Sequence, residues 1–162
     1  MIEFVITSFV GQISQFSVHP FACRVVQRLL EHCNENQRQS IINELLLNFN
    51  ELCQSAFANY VIQHVIQYGT KWHKSEIING VRGKIGSMSR HKFASNIIEK
   101  CFTYGNENER QMLLDEILTG NENDPTQSPL IQMVKDQVSQ KHLCLVWSIE
   151  LCGSCVRVLY NY

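Results

Sequence analysis

The chain has 162 residues, 44% apolar and 18% charged, a balance that suits a soluble globular protein with a core of its own. Its net charge of −1 argues against holding nucleic acid by wholesale phosphate neutralisation, so any such binding must rest on base contacts. Seven cysteines, odd in number and irregularly placed, suit reduced intracellular thiols. Cys152-Gly-Ser-Cys155 has metal or redox spacing but no second pair beside it, so neither metal nor cofactor is expected.

In chain order, a short polar–apolar stretch at 12–18 precedes a helix at 21–31. At about 100° per residue, Phe21, Val25, Val26, Leu29 and Leu30 share one half of that helix, and Cys23, Arg24, Gln27, Arg28 and Glu31 the other. A second helix follows at 35–49, with Ile41, Ile42, Leu45 and Leu46 at helical spacing and Asn34 as its N-cap. The pattern returns as a short stretch around 49–53 and helices at 57–67 and 74–81. It returns again as a stretch at 84–90 and helices at 93–103 and 107–118, the latter capped by Asn106. Residues 120–129 read as a loop by composition. Residues 143–160 are apolar but interrupted by Glu150 and Arg157, a poor membrane span, and no membrane partner is expected. Met1-Ile2-Glu3 lacks the basic region of a signal peptide.

The returning pattern is an internal repeat. Phe21-Ala-Cys-Arg-Val-Val-Gln, Phe57-Ala-Asn-Tyr-Val-Ile-Gln and Phe93-Ala-Ser-Asn-Ile-Ile-Glu align without gaps, 36 residues apart (57 − 21 = 36 and 93 − 57 = 36). Each unit is a short helix and two longer ones, too small to bury its apolar faces alone, so the units must stack as an all-α solenoid. Phe21, Phe57 and Phe93 are expected in the core, with Cys33, Cys53 and Cys101. His19 and His91, just before their helices, are expected to serve caps or turns.

These segments closely resemble the Pumilio family, in the order of its fifth, sixth and seventh repeats. They run as Phe16-Ser-Val-His-Pro-Phe-Ala-Cys-Arg-Val-Val-Gln-Arg-Leu-Leu-Glu-His-Cys33, then 57–69, then His91-Lys-Phe-Ala-Ser-Asn-Ile-Ile-Glu-Lys-Cys101. The resemblance implies an α-solenoid of three-helix repeats, part of a crescent. It divides the chain into the last helix of a preceding repeat (1–10), repeat A (11–47), repeat B (48–83), repeat C (84–119), and a loop with the opening helix of an incomplete repeat (120–137). The divergent tail 138–162 shares nothing with the family. Its abrupt start after Gln137 is what read-through of a splice donor, GTA-AGT giving Val138-Ser139, would produce.

By the same resemblance, single-stranded RNA is the partner. The base-edge pairs are Cys23 with Gln27, Asn59 with Gln63, and Ser95 with Glu99, and the base-stacking residues are Arg24, Tyr60 and Asn96. Helical geometry agrees, since i and i+4 lie on one face with i+1 beside them. An ionised Glu99 only accepts, which matches the N1–H and N2–H donors of guanine, while Asn59 and Gln63 each offer a donor and an acceptor, as uracil requires. The implied reading is 5′-GUA-3′, part of a UGUA-type element. Arg28, His64 and Lys100 follow the edge residues and are expected to form a modest positive strip.

One polar triplet on a helix is ordinarily a solvated face. Three at a constant period, each suited to a different base, favour recognition. No catalytic motif is evident, so an enzyme is not expected. What the resemblance implies further is a cytoplasmic monomer that binds 3′-untranslated regions of mRNA and brings about repression or decay. Repressor or deadenylation-complex proteins would sit on its convex face. The alternatives are a protein-interaction α-solenoid and a non-functional truncated isoform with little RNA binding.

Overall fold

The computed structural model describes residues 2–119 and 129–135. Residues 120–128 of the expected loop 120–129, the end of the opening helix at 136–137, and the tail 138–162 with Cys144, Cys152 and Cys155 lie outside the described residues, and Pro129 begins a helix instead. Among the described residues every regular element is a helix. These are α1 (Ile2–Phe9), α2 (Ile13–Val18), α3 (Ala22–His32), α4 (Glu35–Leu47), α5 (Phe49–Gln54), α6 (Ala58–Tyr68), α7 (Lys71–Val81), α8 (Ile85–Arg90), α9 (Ala94–Tyr104), α10 (Glu107–Thr119) and α11 (Pro129–Lys135).

After α1 the helices come in threes, a six-residue helix followed by two of 11 to 13 residues, which is the three-helix repeat of an α-solenoid. Helices α1–α7 belong to one compact unit, which ends at Val81, and α8–α11 to another. In the first, α3 packs on α6 and α4 meets α7. Val26, Leu29 and Leu30 of α3 and Val61, Ile62 and Val65 of α6 are buried. In the second, α9 packs on α8, and α11 packs on both α8 and α10.

The turns that start the helices recur with the 36-residue period. Ahead of α3, the Nδ1 of His19 accepts from the N–H groups of Phe21 (3.3 Å) and Ala22 (3.2 Å). Ahead of α6, Ser55 Oγ accepts from Phe57 (3.3 Å) and Ala58 (3.2 Å), and ahead of α9, His91 Nδ1 accepts from Phe93 (3.2 Å) and Ala94 (3.4 Å). The two histidines thus do the turn-forming work expected of them. The third helix of each repeat starts in a reciprocal box. Asn34 pairs with Gln37, and Asn106 with Glu109, each side chain accepting from the other residue's N–H. Between them Thr70 and His73 make the same exchange (3.2 and 3.4 Å).

That third box accounts for one difference from the sequence reading: α7 starts at Lys71, three residues before the expected 74. A second difference is that the expected helix 35–49 stops at Leu47, because α5 begins at Phe49. A third concerns the repeated phenylalanines. Phe21 is 79% exposed and Phe57 39%, while Phe93 is only half-buried; each stands at the N-cap, outside the helix it introduces, and the alanine after Phe57 and Phe93 fills the core instead. Cys33, Cys53 and Cys101 are buried as expected.

Two repeats start their short helix with a carboxylate from their own third helix. Glu44 accepts from the N–H of Gly11 (2.8 Å) and of Ser14 (3.4 Å), and Glu116 from Gly83 (2.8 Å) and Ile85 (3.1 Å). Gly11 and Gly83 have φ of 86° and 75°, a left-handed turn that favours glycine. Repeat B has Leu47 and Gly80 at these places, and a Cβ on Gly80 would stand 3.2 Å from the Phe49 ring, so packing replaces the carboxylate there.

His73 is fully buried, with Nε2 3.2 Å from Gln39 Oε1 and 3.8 Å from Glu35 Oε1. Its Nδ1 accepts from Thr70 N–H, which requires the neutral ring, and burial holds its pKa below the ordinary value of 6.5, outweighing the pull of Glu35. A lowered folded pKa means that the unfolded chain takes up the proton first as pH falls. The stability tied to neutral His73 is therefore complete above about pH 6.5 and is lost as the pH drops toward the folded value. Denaturant unfolding at pH 7.5 and 5.5 should show the lower stability at 5.5. His73→Gln, which keeps a box like that of Asn34 and Gln37, should show a shallower loss. An unchanged loss in the variant would remove His73 from the acid response.

Candidate nucleic-acid interface

Helices α3, α6 and α9 each carry one triplet, beginning on the second helical residue, so the turns at 19, 55 and 91 set where the triplets stand. The first member of each is buried: Cys23 is 2% exposed, Asn59 0% and Ser95 1%. Each points back to a carbonyl at the start of its own helix. The Cys23 thiol donates to Pro20 O (3.4 Å), Asn59 Nδ2 to Ser55 O (2.7 Å) and Ser95 Oγ to Lys92 O (3.4 Å). The helical wheel puts i and i+4 on one face without showing that packing covers i.

The second members, Gln27, Gln63 and Glu99, are half-buried and retain accessible surface. Gln63 Nε2 donates to Asn59 Oδ1 at 2.8 Å. Gln27 Oε1 accepts a long contact from Arg24 Nη1 (3.5 Å), while its Nε2 is buried without a hydrogen-bond partner among the described residues. An orphaned donor of this kind costs about 1–3 kcal/mol.

Among the expected stacking residues, Arg24 and Tyr60 are exposed and Asn96 is half-buried. In the first unit the Arg24 guanidinium lies 5.8 Å from the centre of the Tyr60 ring, a cation–π contact between the stacking positions of successive repeats. A planar base between them needs about 7 Å, twice a contact distance of about 3.5 Å, so the pair rests nearly as far apart as a base requires.

The expected positive strip needs correction. Arg28 is held by Glu31 at 2.6 Å. His64 has a side chain only 11% exposed, its Nε2 3.5 Å from Glu31 Oε1. Burial pushes its pKa below the ordinary value against the pull of Glu31, so at neutral pH it contributes no charge. Lys100 lies 5.5 Å from the centre of the Tyr104 ring. The residue missed from sequence is Glu31, whose own pKa is lowered, chiefly by the hydrogen bond from Arg28. The Arg28 spacing of three residues was a visible signal for it, but the approach of His64 from the next repeat was not. Among the described residues no three His, Cys, Asp or Glu side chains gather where a metal ion could be held, and no helix is long and apolar enough to cross a membrane.

The model of the Pumilio-family RNA-binding repeat matches three times, at 12–46, 48–81 and 84–118. Among solved structures, the Puf3 RNA-binding domain bound to a Cox17 RNA 3′-UTR recognition sequence is 35% identical, with a TM-score of 0.81 over 90% of this chain and 46% of that one. PUF-8 in complex with PBE-RNA is 30% identical, with a TM-score of 0.85 over 91% of this chain and 43% of that one. The chain thus spans slightly less than half the length of these relatives.

The Glu31 cluster has a signed consequence. Its carboxylate raises the pKa of His64 and Arg28 lowers it. Glu31→Gln should move the His64 titration midpoint further down and Arg28→Ala should move it up, both followed by imidazole NMR. Midpoints that stay in place would dissolve the proposed coupling.

Proposed function

The chain belongs to the Pumilio family of RNA-binding repeat proteins, and from that premise we propose that it binds single-stranded RNA through a 5′-GUA-3′ segment of a UGUA-type element. Repeat C takes guanine with Glu99, repeat B takes uracil with Gln63 and Asn59, and repeat A takes adenine with Gln27 and Cys23. The observation that carries this reading is the constant 36-residue placement of three triplets whose hydrogen-bonding capacities differ. Packing alone would ask only for similar residues at these positions. A carboxylate faces two adjacent donors on guanine and would meet an acceptor on cytosine.

Affinity comes mainly from stacking and base edges. Tyr60 and Arg24 supply faces on which a base can stack, at about 1–3 kcal/mol per base. Against the cost of association, three bases support binding in the range of about micromolar to millimolar. In a cell the same reading places the protein on 3′-untranslated regions of cytoplasmic mRNA, with repression or decay as the outcome and repressor or deadenylation proteins as partners.

The test is a fluorescence-anisotropy titration of the chain with oligonucleotides that contain UGUA or UCUA. The UGUA oligonucleotide should bind about tenfold more tightly, the weight of one well-placed edge contact. Converting Ser95→Asn together with Glu99→Gln should move the preference at that base from G toward U, and Tyr60→Ala should weaken binding with the G preference kept. Equal affinity for both oligonucleotides would leave a protein-interaction solenoid as the better reading.

A further inference from the structure

We infer that the junction of α6 and α7, where Tyr68, Lys71 and Trp72 stand at the surface, docks an acidic peptide segment that carries an apolar side chain. The inference is independent of how the triplets read bases and concerns a different part of repeat B. It starts from a comparison among the chain's own repeats. The third helix opens as Asn34-Glu-Asn-Gln-Arg38 in repeat A and as Asn106-Glu-Asn-Glu-Arg110 in repeat C, but as Thr70-Lys-Trp-His-Lys74 in repeat B. Thr70 and His73 keep the reciprocal box, so the opening turn is the same. What changes is the exposed pair, from Glu-Asn to Lys71-Trp72.

Folding does not ask for that change, and locally it is unfavourable. In repeat A, Glu35 pairs with Arg38 at 2.9 Å across one turn. In repeat B the same two places hold Lys71 and Lys74, like charges three residues apart on one helix face. A carboxylate in the first turn also suits the positive end of the helix dipole, which a lysine opposes. Lys74 has an internal use, since its Nζ donates to Gln67 O at 3.4 Å, beside Tyr68. Lys71 is exposed and is ion-paired to none of the described residues. Two large rings face solvent next to it, Trp72 at 48% and Tyr68 at 66% exposure. The repeats with asparagine in place of Trp72 form the same helix without an indole.

An exposed indole and phenol beside a lysine that the fold does not neutralise complement a partner with both carboxylates and an apolar side chain. Of the nearby acidic groups, Glu35 is paired with Arg38, and Glu76 lies one turn further along α7. Lys71, Lys74 and Arg38 against Glu35 and Glu76 leave this junction net positive in a chain whose net charge is −1. The geometry favours a peptide over RNA. The triplets begin on the second residue of α3 and of α6, so a strand that they read crosses the helices instead of following them. Tyr68 lies five residues beyond Gln63, about 8 Å along α6 at about 1.5 Å per residue, and the chain turns there into α7. His64, between them, carries no charge at neutral pH to lead a phosphate backbone that way.

The test is a selection of short random peptides displayed on phage against the full chain, followed by anisotropy titration of the enriched peptides. Lys71→Glu with Trp72→Asn serves as the control chain, since it restores the residues that repeats A and C carry. The enriched peptides should be net negative and contain an aromatic or large aliphatic residue. They should bind the control chain at least about tenfold more weakly, the weight of one anchor residue at an interface. In the intact chain they should shift the indole 15N–1H signal that the control chain lacks. Affinity for a UGUA oligonucleotide with flanking uridines should be the same in both chains. Lys71→Glu alone should hold or raise the melting temperature, by restoring an ion pair across one turn; a fall would make Lys71 a structural residue and overturn the inference. Selection without enrichment, peptides without an acidic bias, or equal binding to both chains would overturn it as well. A loss of oligonucleotide affinity in the control chain would assign the junction to RNA instead.

Discussion

A short helix that turns sharply into a longer one leaves backbone N–H groups without helical partners, and each costs about 1–3 kcal/mol if buried unsatisfied. The chain meets this need at the same places in each repeat, with side-chain acceptors at 19, 55 and 91 ahead of the middle helix and reciprocal boxes at 34, 70 and 106 ahead of the third. The site depends on the first set. The acceptor fixes where the middle helix begins, and the triplet starts on its second residue. The same turn also provides the carbonyl that receives the first member of the triplet, from Pro20, Ser55 or Lys92. Helix initiation and side-chain presentation are thus one structural feature.

Much of this was legible in the sequence because it is local. The 36-residue period is explicit in the repeated Phe-Ala segments, and Asn34 and Asn106 stand where N-caps belong. Thr70 escaped notice because its box partner is His73, an imidazole in a place normally taken by Glu or Gln. The phenylalanines misled for a different reason. Their periodicity with the apolar positions that follow is real, but it assumes that the helix already includes them. The helix itself begins one residue later, and Phe21, in the turn ahead of it, is largely exposed.

The candidate site was legible in identity and less so in presentation. A helical wheel places Cys23 with Gln27, Asn59 with Gln63 and Ser95 with Glu99, but it says nothing about which of each pair is covered. Packing buries the first member and leaves the second partly accessible, so the two members of each pair are presented differently. Charge failed for a similar reason. Arg28, His64 and Lys100 look like a basic row when counted, but Arg28 is paired with Glu31 in its own repeat and burial keeps His64 neutral.

On the proposed reading, selection rests on base edges, and a row in which His64 is neutral and Arg28 is paired with Glu31 adds little to it. Phosphate contacts are alike for every sequence, so a strongly basic groove would raise affinity for all RNA and dilute the preference set by the edge residues. Hydrogen bonds to base edges discriminate only if the protein groups hold one orientation before the base arrives. A mobile glutamine amide can satisfy a wrong pyrimidine by flipping, at little more than the entropy of one torsion. Asn59, buried beneath Gln63, donates to the Ser55 carbonyl ahead of the helix and accepts from Gln63 Nε2.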